Sequence, residues 1–146
     1  MILFRLIGIG LVSTALVLSG CTPTSKVDAV GATLSGSSEV PAVTSSGRGT
    51  LEASLNRRTS VLTWLLTYSA LSGPTTAGQF HGPALPGSSA GVVVSMTGDL
   101  SSPIRGEATL TPAQIADLVA GKWYVNLLTE ANANGEIRGQ IYVTPR

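Results

Sequence analysis

The chain has 146 residues, of which 43% are hydrophobic and only 12% charged, with 9 basic and 8 acidic side chains. That length holds about one domain, large enough to bury a core without disulfides. Arg57-Arg58 is the only adjacent basic pair, so the concentrated basic surface that a nucleic-acid partner requires is excluded. Glycine (17) and proline (8) are frequent, and Val and Thr outnumber the long charged helix formers, which predicts an all-β domain.

Residues 1–20 read MILFRLIGIGLVSTALVLSG. Arg5 precedes an apolar run from Leu6 to Leu18. That run falls short of the ~20 apolar residues that span a bilayer. It fits the hydrophobic region of a signal peptide. Leu18-Ser19-Gly20-Cys21 resembles the bacterial lipobox. The resemblance implies cleavage before Cys21, a diacylglycerol on its thiol and a fatty acyl chain such as palmitate on its amine. Each buried methylene contributes roughly 0.8 kcal/mol, so several chains anchor firmly. Cys21 is the sole cysteine and has no disulfide partner in the chain. Thr22 stands where an Asp would favour inner-membrane retention in the known sorting pattern. The expected location is therefore the cell membrane, or the outer membrane of a two-membrane cell, facing outside the cytoplasm. Removing the leader also removes Arg5, which leaves a mature side-chain charge of zero. Residues 21–30 are small and polar and read as a flexible tether. The β-domain is expected over residues 31–146.

Ala32-Thr33-Leu34-Ser35 opens the first expected strand, and SGSSEVPAVTSSG forms a long turn region in which Pro41 cannot donate to a ladder. In Gly49–Asn56, Leu51, Ala53 and Leu55 point inward while Thr50, Glu52 and Ser54 point out. Arg57-Arg58-Thr59 turns the chain. In Ser60–Leu71, Leu62, Trp64, Leu66 and Tyr68 share a face, which puts Trp64 in the core rather than on a binding platform. Short strands follow at Ala77–His81, Gly91–Thr97 and Ile104–Leu110, with Val92, Val94 and Met96 on one side of the second. Thr111 as N-cap, Pro112 at the first helical position and Gln114 at capping-box spacing begin the one helix, which Gly121 stops.

The chain closes with KWYVNLLTE, ANANG and EIRGQIYV, two alternating runs around an Asn/Gly reversal. This is the pattern of a β-hairpin, with Trp123, Val125 and Leu127 on one face and Ile137, Gly139, Ile141 and Val143 on one face of the return. Taken together, the strands predict a β-sandwich or barrel of about seven to eight strands with one short helix before the final hairpin.

Phe80-His81-Gly82-Pro83, together with Tyr124-Val125-Asn126 and Gly135-Glu136-Ile137-Arg138-Gly139-Gln140, resembles the CHRD domain. This module is repeated in chordin and found alone in many bacterial exported proteins. Glu39-Val40-Pro41, residues 47–55 and Leu118–Gly121 add to the likeness, which covers about residues 31–143. The resemblance implies an immunoglobulin-like all-β fold and little chemistry. The family pattern commonly carries histidines at two positions that hold Gln79 and Leu128 here. A three-histidine cluster would suit a transition metal. His81 alone cannot furnish a closed zinc site, so no metal or other cofactor is expected.

His81 titrates near neutral pH and has the chemistry of a general base, alone or with a serine and Asp99. Gly87-Ser88-Ser89-Ala90-Gly91 spells GxSxG but falls in a loop with no helix pattern after it, so no strand-to-helix elbow supports a nucleophile, and no phosphate-binding glycine loop is present. The favoured reading of His81 is a structural histidine beside the Gly-Pro turn. Glu136 and Arg138, at i and i+2, read as a charge pair securing the hairpin or as a binding pair. Asn126 reads as a tie to neighbouring backbone. The expected function is a non-enzymatic lipoprotein presenting its domain for binding or envelope structure, with Gln79, His81, Asn126, Glu136 and Arg138 as candidate binding residues. Its expected partners are the membrane, through the anchor, and an envelope protein or glycan. The alternative is an extracytoplasmic enzyme or metal-handling protein built on His81, Gln79 and Glu136.

Overall fold

The computed structural model describes residues 27–145. The leader, the lipobox with Cys21, and residues 22–26 of the expected tether lie outside that range. Nine strands form the domain: β1 (Val27–Ser35), β2 (Arg48–Asn56), β3 (Val61–Ser69), β4 (Thr75–His81), β5 (Val92–Ser95), β6 (Ile104–Thr109), β7 (Tyr124–Thr129), β8 (Ile137–Gln140) and β9 (Tyr142–Thr144). One helix, α1 (Pro112–Val119), precedes β7. The expected all-β class is what the chain adopts.

The strands form one antiparallel path, β5-β4-β7-β8-β1-β2-β3-β6. β9 continues the register of β8 along β1: Arg138 faces Ser35, and Tyr142 faces Gly31. The sheet curls until its halves meet. Trp64 of β3 packs edge-on against Phe80 of β4, with ring centroids 5.1 Å apart, although four strands lie between the two in the path. The result is nearly a closed barrel, the second of the two architectures the strand pattern allowed, rather than two separate layers.

Period-two alternation explains the core. Leu51 and Leu55 of β2, Leu62 and Leu66 of β3, and Val125 and Leu127 of β7 are fully or almost fully buried, while Thr50, Thr63 and Thr67 are exposed. Trp64 is 6% exposed and lies in the core as expected. α1 has the capping box read from the sequence: Gln114 N donates to Thr111 Oγ1 (3.2 Å) and Thr111 N to Gln114 Oε1 (2.9 Å). Its Leu118 is fully buried, and Gly121 ends it at φ +71°.

Two boundaries differ from the sequence reading. β1 begins at Val27, so Val27–Val30 are strand paired with residues 53–56 of β2 and not part of a tether. Asp28 hid that alternation: it is 3% exposed, on a face where a charged side chain is not expected, because Arg57 reaches it with an ion pair of 2.5 Å. β5 is shorter than Gly91–Thr97, and Val92 is exposed while Met96 is buried. The pairing of β5 with β4 shifts register between Phe80 and His81, which takes Val92 off the inward side.

Candidate functional site

The inward faces of β4, β7 and β8 make the core, and their outward faces make a polar layer. Register sets its rows. Gln79, Asn126 and Arg138 lie side by side, and so do His81, Tyr124 and Gln140. Outward residues of an antiparallel sheet ordinarily meet water. Here two loops cover them: the segment after β1 that carries Glu39, and the segment between β4 and β5. Arg138 is consequently 3% exposed, Asn126 5%, Tyr124 3% and Glu39 8%.

Three side chains stack through this layer. The Arg138 guanidinium carbon lies 3.4 Å from the centre of the Tyr124 ring, and on the other face His81 lies parallel to Tyr124 at 4.7 Å. A guanidinium over a ring in a desolvated setting gains about 2 kcal/mol. The same side chains hold the covering loop. Arg138 Nη2 donates to Ser88 O, and Gln140 Nε2 donates to Ala84 O (2.9 Å) and Gly121 O (2.8 Å). Tyr124 Oη donates to Ala90 O (3.1 Å) and accepts from Ala90 N (3.2 Å).

His81 Nδ1 sits 3.0 Å from Ala90 O. A carbonyl only accepts, so Nδ1 carries the proton and Nε2 is left as a bare acceptor. Burial lowers the pKa of His81 below 6.5, against the Ala90 hydrogen bond, which raises it, and with the charge of Arg138, which lowers it further. The ring is therefore neutral at pH 7.

Glu136 and Arg138 do not form the expected charge pair. Among the described residues the ion pair is Arg57–Asp28. Glu136 instead ends the hairpin loop fully buried, and its carboxylate accepts from Ser45 Oγ (2.7 Å), Ser72 N (2.8 Å), Ser72 Oγ (2.6 Å) and Thr129 Oγ1 (2.7 Å). Burial alone would raise its pKa, but the bonds from Ser72, Thr129 and Ser45 outweigh burial and hold it at about 2. Glu136 thus ties three segments together and stands apart from the stacked layer.

Of the other sequence candidates, Asn126 does tie backbone: its Nδ2 donates to Asn134 O (3.2 Å). Gln79 is half-buried at the edge of the layer, opposite Asn126. The metal reading of His81 finds no support in its neighbours: among the described residues no three His, Cys, Asp or Glu side chains gather.

Glu39, Tyr124 and Gln140 are members that sequence reasoning did not place in the site. Tyr124 and Gln140 share strand parity with Asn126 and Arg138, and that signal was readable. Glu39 lies 87 positions before Asn126 and gave no local sign of meeting it. Its carboxyl is pushed up to about 7 by burial, against the lowering effects of Arg138 and the Val40 backbone. A methyl at Gly135 would fall 2.5 Å from both Glu39 Oε1 and the Asn126 amide, and Gly135 has φ +132°, so glycine alone fits that turn.

Two clefts flank Glu39. One, of about 260 Å³, runs between Ser37–Val40 and Pro86-Gly87, with Arg138 and Gln140 in its wall. The other, of about 250 Å³, lies against the hairpin loop 131–135. Four buried polar atoms of the layer have no hydrogen-bond partner: Glu39 Oε1, His81 Nε2, Asn126 Oδ1 and Gln140 Oε1. Buried polar atoms in folded proteins are almost always paired, so four in one layer distinguish it from the rest of the surface.

The family model of the CHRD domain matches residues 30–141, nearly all of the described chain. No curated protein matches, and no solved structure does.

Proposed function

The chain belongs to the CHRD domain family, and from that premise we propose that it is a non-catalytic binding domain held outside the cytoplasm by a lipid on Cys21. The observation that carries the binding reading is the layer around Arg138. Glu39 and Gln140, each with a buried oxygen that has no partner, line an open cleft together with the buried guanidinium of Arg138, and a concave site with convergent polar groups is where a ligand is expected to bind. Among the described residues no hydroxyl or thiol hydrogen-bonds to His81 and no three metal-ligating side chains gather, and the loop backbone at Ala90 holds its ring neutral. The anchor reading is supported by the apolar leader and by Leu18-Ser19-Gly20-Cys21, with the lone cysteine at the position a lipobox requires.

Two measurements test these halves separately. Cys21→Ala is expected to abolish acyl labelling and move the protein from the membrane fraction to the soluble one; persistent labelling would contradict the anchor. A photoreactive residue replacing Val40, which is 43% exposed at a cleft mouth, is expected to crosslink in intact cells. The same residue replacing exposed Glu52 on β2 serves as the control. Equal labelling at the two positions would contradict the binding reading.

A further inference from the structure

We propose that the cleft beside Arg138 binds a small hydroxylated carboxylate, a sugar acid of about monosaccharide size. The inference rests on the reading of this face as a binding site and specifies its ligand. The first ground is charge. Arg138 is 3% exposed, and among the described residues no carboxylate forms an ion pair with it. A guanidinium presents five N–H donors, and one of them goes to Ser88 O. A buried cation without a counter-ion is costly, and a bidentate carboxylate is the geometric match for the unused edge of its fork.

The second ground is the polarity of the other wall. Gln140 Nε2 serves two carbonyls, which fixes the amide orientation and leaves Gln140 Oε1 an acceptor without a donor. Glu39 Oε1 is a second buried oxygen without a partner. Ser37 and Ser38 line the same cleft. A ligand that satisfies this wall carries an anion at one end and hydroxyl donors along its length. Sulfate lacks the donors, hydrogen phosphate is too compact to carry them along the wall, and an alkyl carboxylate leaves the oxygens bare.

The third ground is size. At about 260 Å³ the cleft lies just under the ~300–1,000 Å³ of drug-sized sites, and one sugar ring fills it.

The groups that face Arg138 are Glu39 from the loop after β1 and Tyr124 from β7, with His81 of β4 behind Tyr124. Glu39 supplies a check that a merely structural arginine would not. Once ionised, its carboxylate competes with the ligand for Arg138. With Glu39 titrating at about 7, binding weakens as pH rises, by roughly tenfold between about pH 6 and about pH 8 if only the neutral form admits the anion.

The test is calorimetric titration of the acylated full-length mature protein in detergent with D-galacturonate, its trimer, and neutral D-galactose. Saturable binding of the acid, at least about tenfold tighter than galactose, is expected, with the stated fall towards alkaline pH. Glu39→Gln is expected to lose the pH dependence and, because Glu39 belongs to the wall, to bind more weakly than the wild type at about pH 6; Arg138→Gln is expected to lose binding. Should Arg138→Gln fail to fold, the wild-type and Glu39→Gln profiles carry the decision. Preference for the trimer assigns the ligand to a glycan chain, and preference for the monomer to a free sugar acid. Absence of saturation by either acid at about 10 mM, equal binding of galactose, or a pH dependence unchanged in Glu39→Gln overturns the proposal. If the Val40 crosslink forms while both acids fail, the ligand class alone is wrong; if the crosslink fails too, so is the binding reading.

Discussion

Glu136→Ala is expected to lower the stability of the domain by about 4 kcal/mol, read as a fall of roughly 15 °C in Tm. The substitution strips four donors of their shared acceptor, on Ser45, on Ser72 (twice) and on Thr129. Each charge-assisted bond contributes ~1.5–3 kcal/mol, and each donor left buried without a partner costs ~1–3 kcal/mol. These figures do not add fully, because the freed loops admit water. Glu136→Gln is expected to lose about half as much, since an amide keeps one acceptor oxygen and turns its nitrogen towards groups that already donate. The acid limb is a second signature. The folded pKa of Glu136 lies at about 2 against 4.5 in the unfolded chain, so the unfolded state binds the proton more readily. Its contribution is therefore complete above about 4.5 and lost as pH falls towards 2. Urea denaturation of the wild type across that window should show the decline, and Glu136→Gln should show a shallower one.

Trp123→Ala is expected to cost about 4 kcal/mol by a different route. Trp123 is fully buried immediately before β7, and its ring centroid lies 6.3 Å from that of Phe80, which in turn meets Trp64. The three rings join the two halves of the curled sheet. The ring also fills the space left by Gly82, where a methyl would come within 2.4 Å of Trp123 Cδ1. Truncation removes the transfer energy of an indole and leaves a cavity that a rigid sheet cannot close. Chemical denaturation of this variant should shift the midpoint with the slope unchanged, because the surface exposed on unfolding stays nearly the same.

The sequence carried its information unevenly, for physical reasons. Alternation is local, so the faces of β2 and β3, the core position of Trp64 and the capping box of α1 could be read directly. The closing hairpin was legible for the same reason, with Gly135 at the reversal. Burial by distant segments is not local. Asp28 reads as an outward polar residue until Arg57 is brought beside it, and so the start of β1 was hidden. Glu136 and Arg138 look like a pair because they are two positions apart, yet tertiary packing gives one to serine and threonine hydroxyls and the other to Tyr124. Both faces of β7 are buried, a fact that a half-buried hairpin pattern cannot announce. The polar layer was visible only as Gln79, His81, Asn126 and Arg138. Its closure depends on loops whose positions no periodicity encodes.

One strand links all of this. β8 lies between β7 and β1, follows Glu136 directly, sends Ile137 into the core and holds Arg138 against Tyr124. Native-state hydrogen exchange of the Ile137–Gln140 amides tests that placement most directly. If β8 is the central closing strand, these amides should exchange only through global unfolding, with the same free energy as those of β2 and β3. Exchange several kcal/mol easier than in β2 and β3 would show that the strand opens on its own, and neither the closed sheet nor the polar layer built on it would then stand.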